Sequence, residues 1–410
     1  MMAVRFVHAV AASFAALALV TLSSCGSGDR STSPPVQPDA TVRASLERDL
    51  NEYLVTRSKI EHISAISLSI SLHGRPDNIN LTAGLTEYGG RTAVTPNNLW
   101  QIGSNTKAFT SATILQLEAE GKLSIDQTVG RWLPEYPAWK DVTIRRLLDM
   151  TSGIPGYNKV PAMLRAYAEN PKRNFTISEL LAYVYPGNPN ALPPTTGYDY
   201  SNTNYLLAEL IVERASGRSY PSELERRFFR PIAGLNDTYY SGTIYPRGVL
   251  NRTVSGYFFS HAGDEIGLAR LFGRDVRDDS VSWMQAAGGI VSTPEDLTRW
   301  ARALYTGPML APKQRAELFS LVSEKSGKPI VRTTPSDPSG FGLGVVQLTT
   351  PEIGTIWWYQ GESLGYRMIH VYFPRQDAVI AYGLNSSPDS NEGPKLGLTI
   401  YHTLHAAGRL

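Results

Sequence analysis

Strand-forming segments lie near both ends of the chain, and a long helical stretch separates them. Residues 65–72 alternate with period two, turn residues follow, and residues 78–85 provide a return strand. Further segments rich in Val, Ile and aromatic residues lie at 342–348, 355–360, 366–373 and 378–384. Residues 143–240 have mostly helix and loop character. This order predicts an α+β fold, in which both chain ends build one antiparallel β-sheet flanked by helices, with an inserted mostly helical lobe.

Helices are predicted from apolar spacing and from residues typical of helix ends. The expected helices cover about 41–58, 106–120, 205–215 and 394–407, and another begins at Pro294 after a hydroxyl cap. Gly121 and Gly217 stand where glycine ends a helix. We therefore expect one domain over 41–410, with a sheet lobe at about 41–103 and 285–410 and a helical lobe at about 104–284.

Composition excludes some classes of protein. The 410 residues include a single cysteine, so a disulfide scaffold is impossible. Lys and Arg number 39 against 37 Asp and Glu, without a basic block. Nucleic-acid binding needs clustered positive charge, and a nucleic-acid partner is therefore not expected.

The N-terminus has the pattern of an export signal. Arg5 precedes an apolar run of 14 residues at 9–22, which is shorter than the ~18 residues needed to cross a bilayer. Residues 22–26 resemble a bacterial lipobox, which predicts a signal peptide over 1–25, lipidation of Cys25 and anchoring to a membrane in the bacterial periplasm. An ordinary signal peptide with an incidental cysteine is the alternative. Residues 26–40 are rich in Gly, Ser and Pro and predict a flexible tether.

Ser104 and Lys107 stand three residues apart where a strand leads into a helix. Positions i and i+3 share a helix face, so the amine can lie beside the hydroxyl. A lysine whose pKa is lowered by burial can take the proton of a serine, and a helix N-terminus favours the negative charge that develops on an attacked carbonyl. About one such spacing is expected by chance, so the pair alone is a weak signal.

A second polar motif is Tyr200-Ser201-Asn202. A tyrosine hydroxyl beside a lysine can move a proton, and an asparagine amide can hold a substrate carbonyl and the lysine. The structural alternative is a polar loop that caps the following helix.

Together these motifs resemble the serine β-lactamase and penicillin-binding-protein superfamily, especially its class C β-lactamase, DD-peptidase and family VIII-type esterase branch. Residues 99–103, 121–126, 143–155 and 288–293 resemble its framework segments, so the likeness covers 41–408. The resemblance implies an acyl-enzyme on Ser104, with Lys107 and Tyr200 moving the protons and Asn202 contacting substrate. It leaves open which of Lys107 and Tyr200 is the base, and it implies no metal or organic cofactor.

The third motif of the superfamily has Lys or His, any residue, then Gly. Its best counterpart is Tyr359-Gln360-Gly361, followed by Glu362, so a tyrosine replaces the cation that faces a substrate carboxylate. By analogy, the backbone N–H groups of Ser104 and Glu362 form the oxyanion hole. Arg367 is a candidate for the missing charge.

The resemblance implies an enzyme acting on a small molecule or peptide with an acyl carbonyl. A D-alanyl-D-alanine carboxypeptidase or β-lactamase is the first expectation. A carboxylesterase or D-amino amidase is the alternative, since the third motif lacks its cation. A non-catalytic penicillin-binding or cell-wall-sensing lipoprotein is the alternative from another class.

Rival patterns occur in the same sequence. Residues 361–365 match G-x-S-x-G, which would make Ser363 the nucleophile of an α/β-hydrolase with Asp377 and His402 or His405, although a strand rather than a helix follows. His402 and His405 also have the helical spacing of a metal-binding pair. The alternative is that both are exposed residues on a terminal surface helix.

Two glycine-rich or aromatic segments allow a second interpretation. Residues 340–344 suggest a nucleotide loop but lack its spacing, which favours a strand start. Residues 257–259 are interpreted as core, with the wall of an acyl pocket as the alternative.

Overall fold

The fold comes from a computed structural model, which describes residues 39–232, 234–265 and 267–410. The predicted signal peptide, Cys25 and residues 26–38 of the predicted tether lie outside these ranges. Residues 39 and 40 were assigned to the tether, but they belong to the first helix. Within the described ranges, no helix is both long enough and apolar enough to span a bilayer.

The helices and strands are numbered in chain order. The helices are α1 (Asp39–Glu61), α2 (Thr106–Ala119), α3 (Val129–Trp132), α4 (Ile144–Leu148), α5 (Pro161–Glu169), α6 (Ile177–Ala182), α7 (Thr203–Ser216), α8 (Tyr220–Leu224), α9 (Arg247–Leu250), α10 (Pro294–Tyr305), α11 (Pro312–Leu318) and α12 (Gly393–Ala406). The strands are β1 (Ala65–Ser71), β2 (Ile79–Gly84), β3 (Trp100–Gln101), β4 (Tyr239–Tyr240), β5 (Tyr257–Phe259), β6 (Ile290–Ser292), β7 (Leu321–Ser323), β8 (Pro329–Ile330), β9 (Ser339–Phe341), β10 (Val346–Thr350), β11 (Gly354–Ser363), β12 (Tyr366–Phe373), β13 (Ala378–Leu384) and β14 (Ser386–Pro388).

The main sheet joins the two ends of the chain. It has nine strands in the order β2-β1-β13-β12-β11-β10-β9-β7-β8, and its neighbouring strands run antiparallel. The first hairpin docks on the last strands through β1, where Ile66 pairs with Leu384. The α+β class predicted from the sequence, with its antiparallel sheet and helical insertion, is confirmed.

Helices cover both faces of the sheet, since all seven residues of β1 are buried. Helix α10 contacts the face of the sheet on which the serine side chains of β1 lie. Ser69 Oγ is 3.5 Å from Thr298 Oγ1, and Arg302 Nε donates to Ser71 Oγ at 3.0 Å. Helix α1 packs against β2 and α12. Strands β3 and β6 pair through Trp100 and Ser292. The mostly helical segment between them contains Ser104, Lys107 and Tyr200.

One predicted strand is wrong in its extent. Residues 342–348 were predicted as one strand, but the chain breaks between β9 and β10. Gly342 N–H donates to Val345 O at 2.7 Å, and Gly344 adopts a left-handed backbone with φ of 78°. The β-branched residues Val345 and Val346 favoured a strand, although Gly342 and Gly344 are typical of a turn.

Candidate active site

Ser104 lies in the short 3-10 turn Gly103–Asn105 that leads into α2. The buried Asn105 fixes this turn to β12, because its Nδ2 donates to Ile102 O at 2.8 Å and to Met368 O at 2.9 Å. Asn105 Oδ1 lies 2.7 Å from His370 Nδ1. Burial lowers the pKa of His370 to about 3, so its neutral ring donates to Asn105. Sequence reasoning missed Asn105, although it directly follows Ser104.

Lys107 lies beside Ser104 on the first turn of α2. Its Nζ is 2.9 Å from Ser104 Oγ and 2.7 Å from the Ala287 carbonyl oxygen, and the side chain is 0% exposed. Loss of hydration lowers the pKa of Lys107 well below its ordinary 10.5. A neutral amine here donates one proton to Ala287 O, and its lone pair is free to accept the Ser104 hydroxyl proton. The contact has the geometry of a nucleophile and its base.

Tyr200 and Tyr359 complete the polar centre. The Tyr200 hydroxyl hydrogen-bonds with Ser104 and lies 3.0 Å from the Tyr359 hydroxyl. Lys107 Nζ lies 4.9 Å from the centre of the Tyr200 ring. Burial raises the pKa of Tyr200, so its phenol stays protonated and can donate a proton.

Strand β11 forms the opposite edge of the site. Its partner β10 pairs only from Gly354 to Trp358, and beyond that point the Ser104 turn lies against β11. A Cβ at Gly361 would be 1.9 Å from Ile102 O, and a Cβ at Gly103 would be 2.6 Å from Glu362 N. Both positions therefore require glycine, and their close approach brings the backbone of Glu362 beside Ser104.

The predicted substrate-binding side chains have different surroundings. Gln360 Nε2 donates to the Glu362 carboxylate, which also accepts from Asn391 Nδ2 at 3.4 Å. Burial raises the pKa of Glu362, and the Arg367 charge opposes this shift. Among the described residues, the buried Oδ1 of Asn202 has no hydrogen-bond partner, and Lys107 donates to Ala287 instead.

Arg367 cannot serve as the missing cation, because its side chain is buried in another contact. Its guanidinium donates to Glu61 Oε2 at 2.6 Å, Asn391 Oδ1 at 2.7 Å and Ser386 O at 2.8 Å. It ties α1 to the segment after β13, so the proposed compensation by Arg367 is wrong.

An aromatic wall lies beside the polar centre, and sequence analysis did not predict it. The Phe341 ring lies 5.6 Å from Tyr198, 6.1 Å from Tyr200 and 6.2 Å from Tyr359 between ring centres. The Glu324 carboxylate is 3.5 Å from the Tyr198 hydroxyl, and burial raises its pKa to about 7. The wall thus combines aromatic rings with an acid.

The α/β-hydrolase interpretation is wrong. Ser363 is the last residue of β11 and pairs with Tyr366 across a hairpin turn, so it does not open a helix. Asp377 pairs with Arg302 at 2.7 Å, and His402 lies 2.9 Å from Glu352. Neither group contacts Ser363. Among the described residues, no group of three or more His, Cys, Asp or Glu side chains is placed to hold a metal ion.

The two remaining segments, 340–344 and 257–259, depart in part from their predicted structures. Residues 340 and 341 end β9 and residues 342–345 turn toward β10, so the predicted strand start is wrong. In β5, the Phe258 side chain is fully buried, and Phe259 stacks on His62 with ring centres 3.9 Å apart. Phe258 is therefore a core residue, as predicted, whereas Tyr257 and Phe259 are half-buried, and the acyl-pocket alternative stays a prediction.

Comparison with known proteins identifies the family of the chain. A sequence model of the Beta-lactamase family matches residues 50–402. Penicillin-binding protein 4* of Bacillus subtilis strain 168 is 27% identical over 313 residues, which are 75% of this chain and 65% of that protein. The chain thus spans about two thirds of the length of this relative.

Two solved structures have the same fold. A D-stereospecific amidohydrolase from Streptomyces sp. has a TM-score of 0.72 at 24% identity, over 89% of this chain and 99% of its own. A D-amino acid amidase from Ochrobactrum anthropi SV3, complexed with L-phenylalanine, has a TM-score of 0.73 at 21% identity, over 88% and 97%.

Proposed function

Because the chain belongs to the Beta-lactamase family, a family of serine β-lactamase-fold hydrolases, we propose that it hydrolyses acyl compounds through an acyl-enzyme on Ser104. The observation that carries the proposal is the 2.9 Å contact between Ser104 Oγ and the buried Lys107 amine. A serine hydroxyl needs a base to become a nucleophile, and this amine is dehydrated and in hydrogen-bond reach.

In the first half of the reaction, Ser104 Oγ bonds to the substrate carbonyl carbon and its proton passes to Lys107. Negative charge builds on the carbonyl oxygen, which the backbone N–H groups of Ser104 and Glu362 would stabilise. Tyr200 then donates its proton to the departing nitrogen or oxygen as the bond from that atom to carbon breaks. The Tyr200 phenolate recovers a proton from Lys107, and both groups return to their starting state.

In the second half, water releases the acyl group. Lys107 takes a proton from the water as its oxygen attacks the ester carbon, and the bond from carbon to Ser104 Oγ breaks. The proton returns to Ser104. The opposite pKa directions of the two groups support Lys107 as the base and Tyr200 as the proton donor.

For the substrate we propose amides or esters that have no carboxylate beside the scissile bond. Tyr359 places a neutral hydroxyl 3.0 Å from Tyr200, where the superfamily motif has a cation. Glu324 adds an acid to the neighbouring wall, and Arg367 is bound to Glu61. An anionic substrate would lose its hydration in this site without gaining a partner. Carboxylesters and D-amino amides fit these surroundings better than penicillins or D-Ala-D-Ala peptides.

A substrate panel tests this choice. Initial rates are measured for a D-amino acid amide, a p-nitrophenyl ester, nitrocefin and a D-Ala-D-Ala peptide. We expect kcat/KM to be at least tenfold higher for the first two than for the last two, and to rise at least tenfold for the D-Ala-D-Ala peptide on Tyr359→His. Tyr359→Phe is the matched control, because it removes the same hydroxyl without adding a charge.

Other outcomes would overturn the proposed substrate. Faster turnover of nitrocefin or the D-Ala-D-Ala peptide by the unaltered protein would restore the β-lactamase or carboxypeptidase expected from the sequence. A stable acyl adduct without turnover would indicate a non-catalytic penicillin-binding protein.

We further propose that Cys25 is lipidated and holds the domain on a membrane in the bacterial periplasm. The support is the apolar run at 9–22 and the lipobox-like residues after it. Cys25→Ser should move the protein from the membrane fraction to the soluble fraction. Unchanged membrane association would contradict the proposed anchor.

A further inference from the structure

The carbonyl that holds Lys107 belongs to a strained turn. The 3-10 turn Gln285–Ala287 begins with Gln285 at φ of 43°, a left-handed conformation that a non-glycine residue adopts only when its surroundings fix it. Ala287 O accepts from Lys107 Nζ at 2.7 Å, and Ala286 O accepts from Thr110 Oγ1 at 2.9 Å. Both carbonyls therefore fix α2, and their position depends on what holds Gln285.

Glu209 on α7 lies directly behind this turn. Its side chain is 5% exposed, and its Oε2 accepts from Ala286 N–H at 2.8 Å. Its other oxygen, Oε1, lies 3.3 Å from the Tyr240 hydroxyl, which in turn lies 3.1 Å from Gln285 Oε1. One carboxyl group thus contacts the turn directly and reaches its strained residue through a tyrosine.

The hydrogen bonds from Glu209 through Tyr240 to Gln285 show whether the Glu209 carboxyl group is protonated. Gln285 Nε2 lies 3.3 Å from Phe175 O and 3.5 Å from Gly242 O, so the amide oxygen is the atom that faces Tyr240. Tyr240 has one proton but two neighbouring acceptors, Gln285 Oε1 and Glu209 Oε1. Both contacts are hydrogen bonds only when Glu209 carries a proton, donates it to Tyr240, and Tyr240 donates to Gln285.

We propose that Glu209, as a neutral carboxylic acid, is a positioning residue that holds the Gln285–Ala287 turn so that the Ala287 carbonyl fixes Lys107. The inference rests on the proposed role of Lys107 as the base. Glu209 does not touch substrate or the reacting atoms. It acts through the backbone of the turn, and a shift of about 1 Å in a catalytic group can lower a rate by about 100-fold.

The surroundings of Glu209 agree with its neutral state. The titratable groups that face it are Glu213 on the same helix, Tyr240 on β4, Tyr220 on α8 and Tyr157 in the 3-10 turn Tyr157–Lys159. They are one acid and three phenols. Burial raises the pKa of Glu209 to about 8, so the acid is mostly protonated at neutral pH.

The test compares Glu209→Gln and Glu209→Leu with the same changes at Glu118. Glu118 is a matched control, because it is a buried helical glutamate that accepts a backbone N–H, from Ile125 at 3.2 Å, outside this turn. For each variant kcat, KM, the pH profile of kcat/KM and the melting temperature are measured with a p-nitrophenyl ester.

We expect Glu209→Gln to keep kcat within about threefold, because the amide also donates to Tyr240 and accepts from Ala286. Glu209→Leu should lower kcat at least about tenfold and raise the kinetic pKa of Lys107, because the released amine gains water. Glu118→Leu should lower the melting temperature without either effect. Equal effects of the two leucine variants on kcat and kinetic pKa would overturn the inference, as would a loss in Glu209→Gln as large as in Glu209→Leu.

A second measurement decides the matter if Glu209→Leu does not fold. Above pH 8 the unaltered protein should lose activity as Glu209 ionises and its donated hydrogen bond disappears, whereas Glu209→Gln should not show this loss. Identical alkaline profiles would overturn the inference. Activity of Lys107→Met equal to that of the unaltered protein would instead overturn the proposed function, so the two failures are distinguishable.

Discussion

Replacing Gly361 by alanine tests the contact between β11 and the Ser104 turn. The added Cβ would lie 1.9 Å from Ile102 O and 2.6 Å from Asn105 Nδ2, whereas real Cβ contacts are at least 3.0 Å. The backbones must therefore separate by about 1.1 Å, from 1.9 Å to 3.0 Å. The displacement carries the Glu362 N–H away from Ser104. A catalytic group displaced by about 1 Å lowers the rate by about 100-fold, which corresponds to about 2.7 kcal/mol of transition-state stabilisation.

The assay is kcat/KM for a p-nitrophenyl ester, measured with the folded fraction determined by near-UV circular dichroism. Gly248→Ala is the matched control, because Gly248 lies in helix α9 with nothing within 4 Å of an added Cβ. We expect Gly361→Ala to lose about 100-fold in kcat/KM per folded molecule and Gly248→Ala to lose nothing. A Gly361→Ala protein that keeps kcat/KM within about threefold would refute the proposed role of this contact in catalysis.

Three further predictions follow from individual contacts. Lys107→Met should lower kcat on the order of 1,000-fold, because the serine loses its base. In the unaltered protein kcat/KM should rise with pH to a midpoint well below 10.5, because only the neutral amine can take the serine proton. A pH-independent rate between pH 5 and 9 would argue against this base. Arg367→Ala should lower the free energy of unfolding by about 1.5–3 kcal/mol in urea denaturation, since the buried Glu61 loses one charged hydrogen-bond partner and keeps Arg57 Nε at 3.0 Å and the Tyr53 hydroxyl at 2.7 Å. The preference between charged and neutral substrates should not change, and a changed preference would show that Arg367 does contact substrate. Ser363→Ala should keep full activity, and a loss as large as in Ser104→Ala would restore the rejected α/β-hydrolase interpretation.

The sheet was largely predictable because its signals are local. The period-two alternation of 65–72 and the apolar run of 366–373 correspond to β1 and β12. The helix start at Pro294 follows from its Thr293 cap, whose Oγ1 accepts from Asp296 N–H. The break at Gly342–Val345 was missed, because Val345 and Val346 favour a strand and the left-handed backbone of Gly344 is only one of the conformations open to glycine.

From local spacing alone, the site was predictable only where its residues are close in sequence. The distant Tyr200, which hydrogen-bonds with Ser104, was predicted from the family resemblance. The contact of Ser104 with Lys107 follows from helical spacing, because three residues bring two side chains to one face. The contact between Tyr359 and Tyr200 joins residues 159 positions apart in the sequence. The hydrogen bond from Lys107 to the Ala287 carbonyl joins residues 180 positions apart. Such contacts depend on how the lobes pack, and no local pattern encodes them.

Covalent labelling of the nucleophile tests the role of Ser104 most directly. The protein is treated with a fluorophosphonate, digested, and analysed by tandem mass spectrometry, with Ser104→Ala treated in parallel. We expect one modified peptide, with the added mass on Ser104, and neither label nor hydrolysis in Ser104→Ala. Modification of Ser363 or another residue, or full activity of Ser104→Ala, would contradict this role.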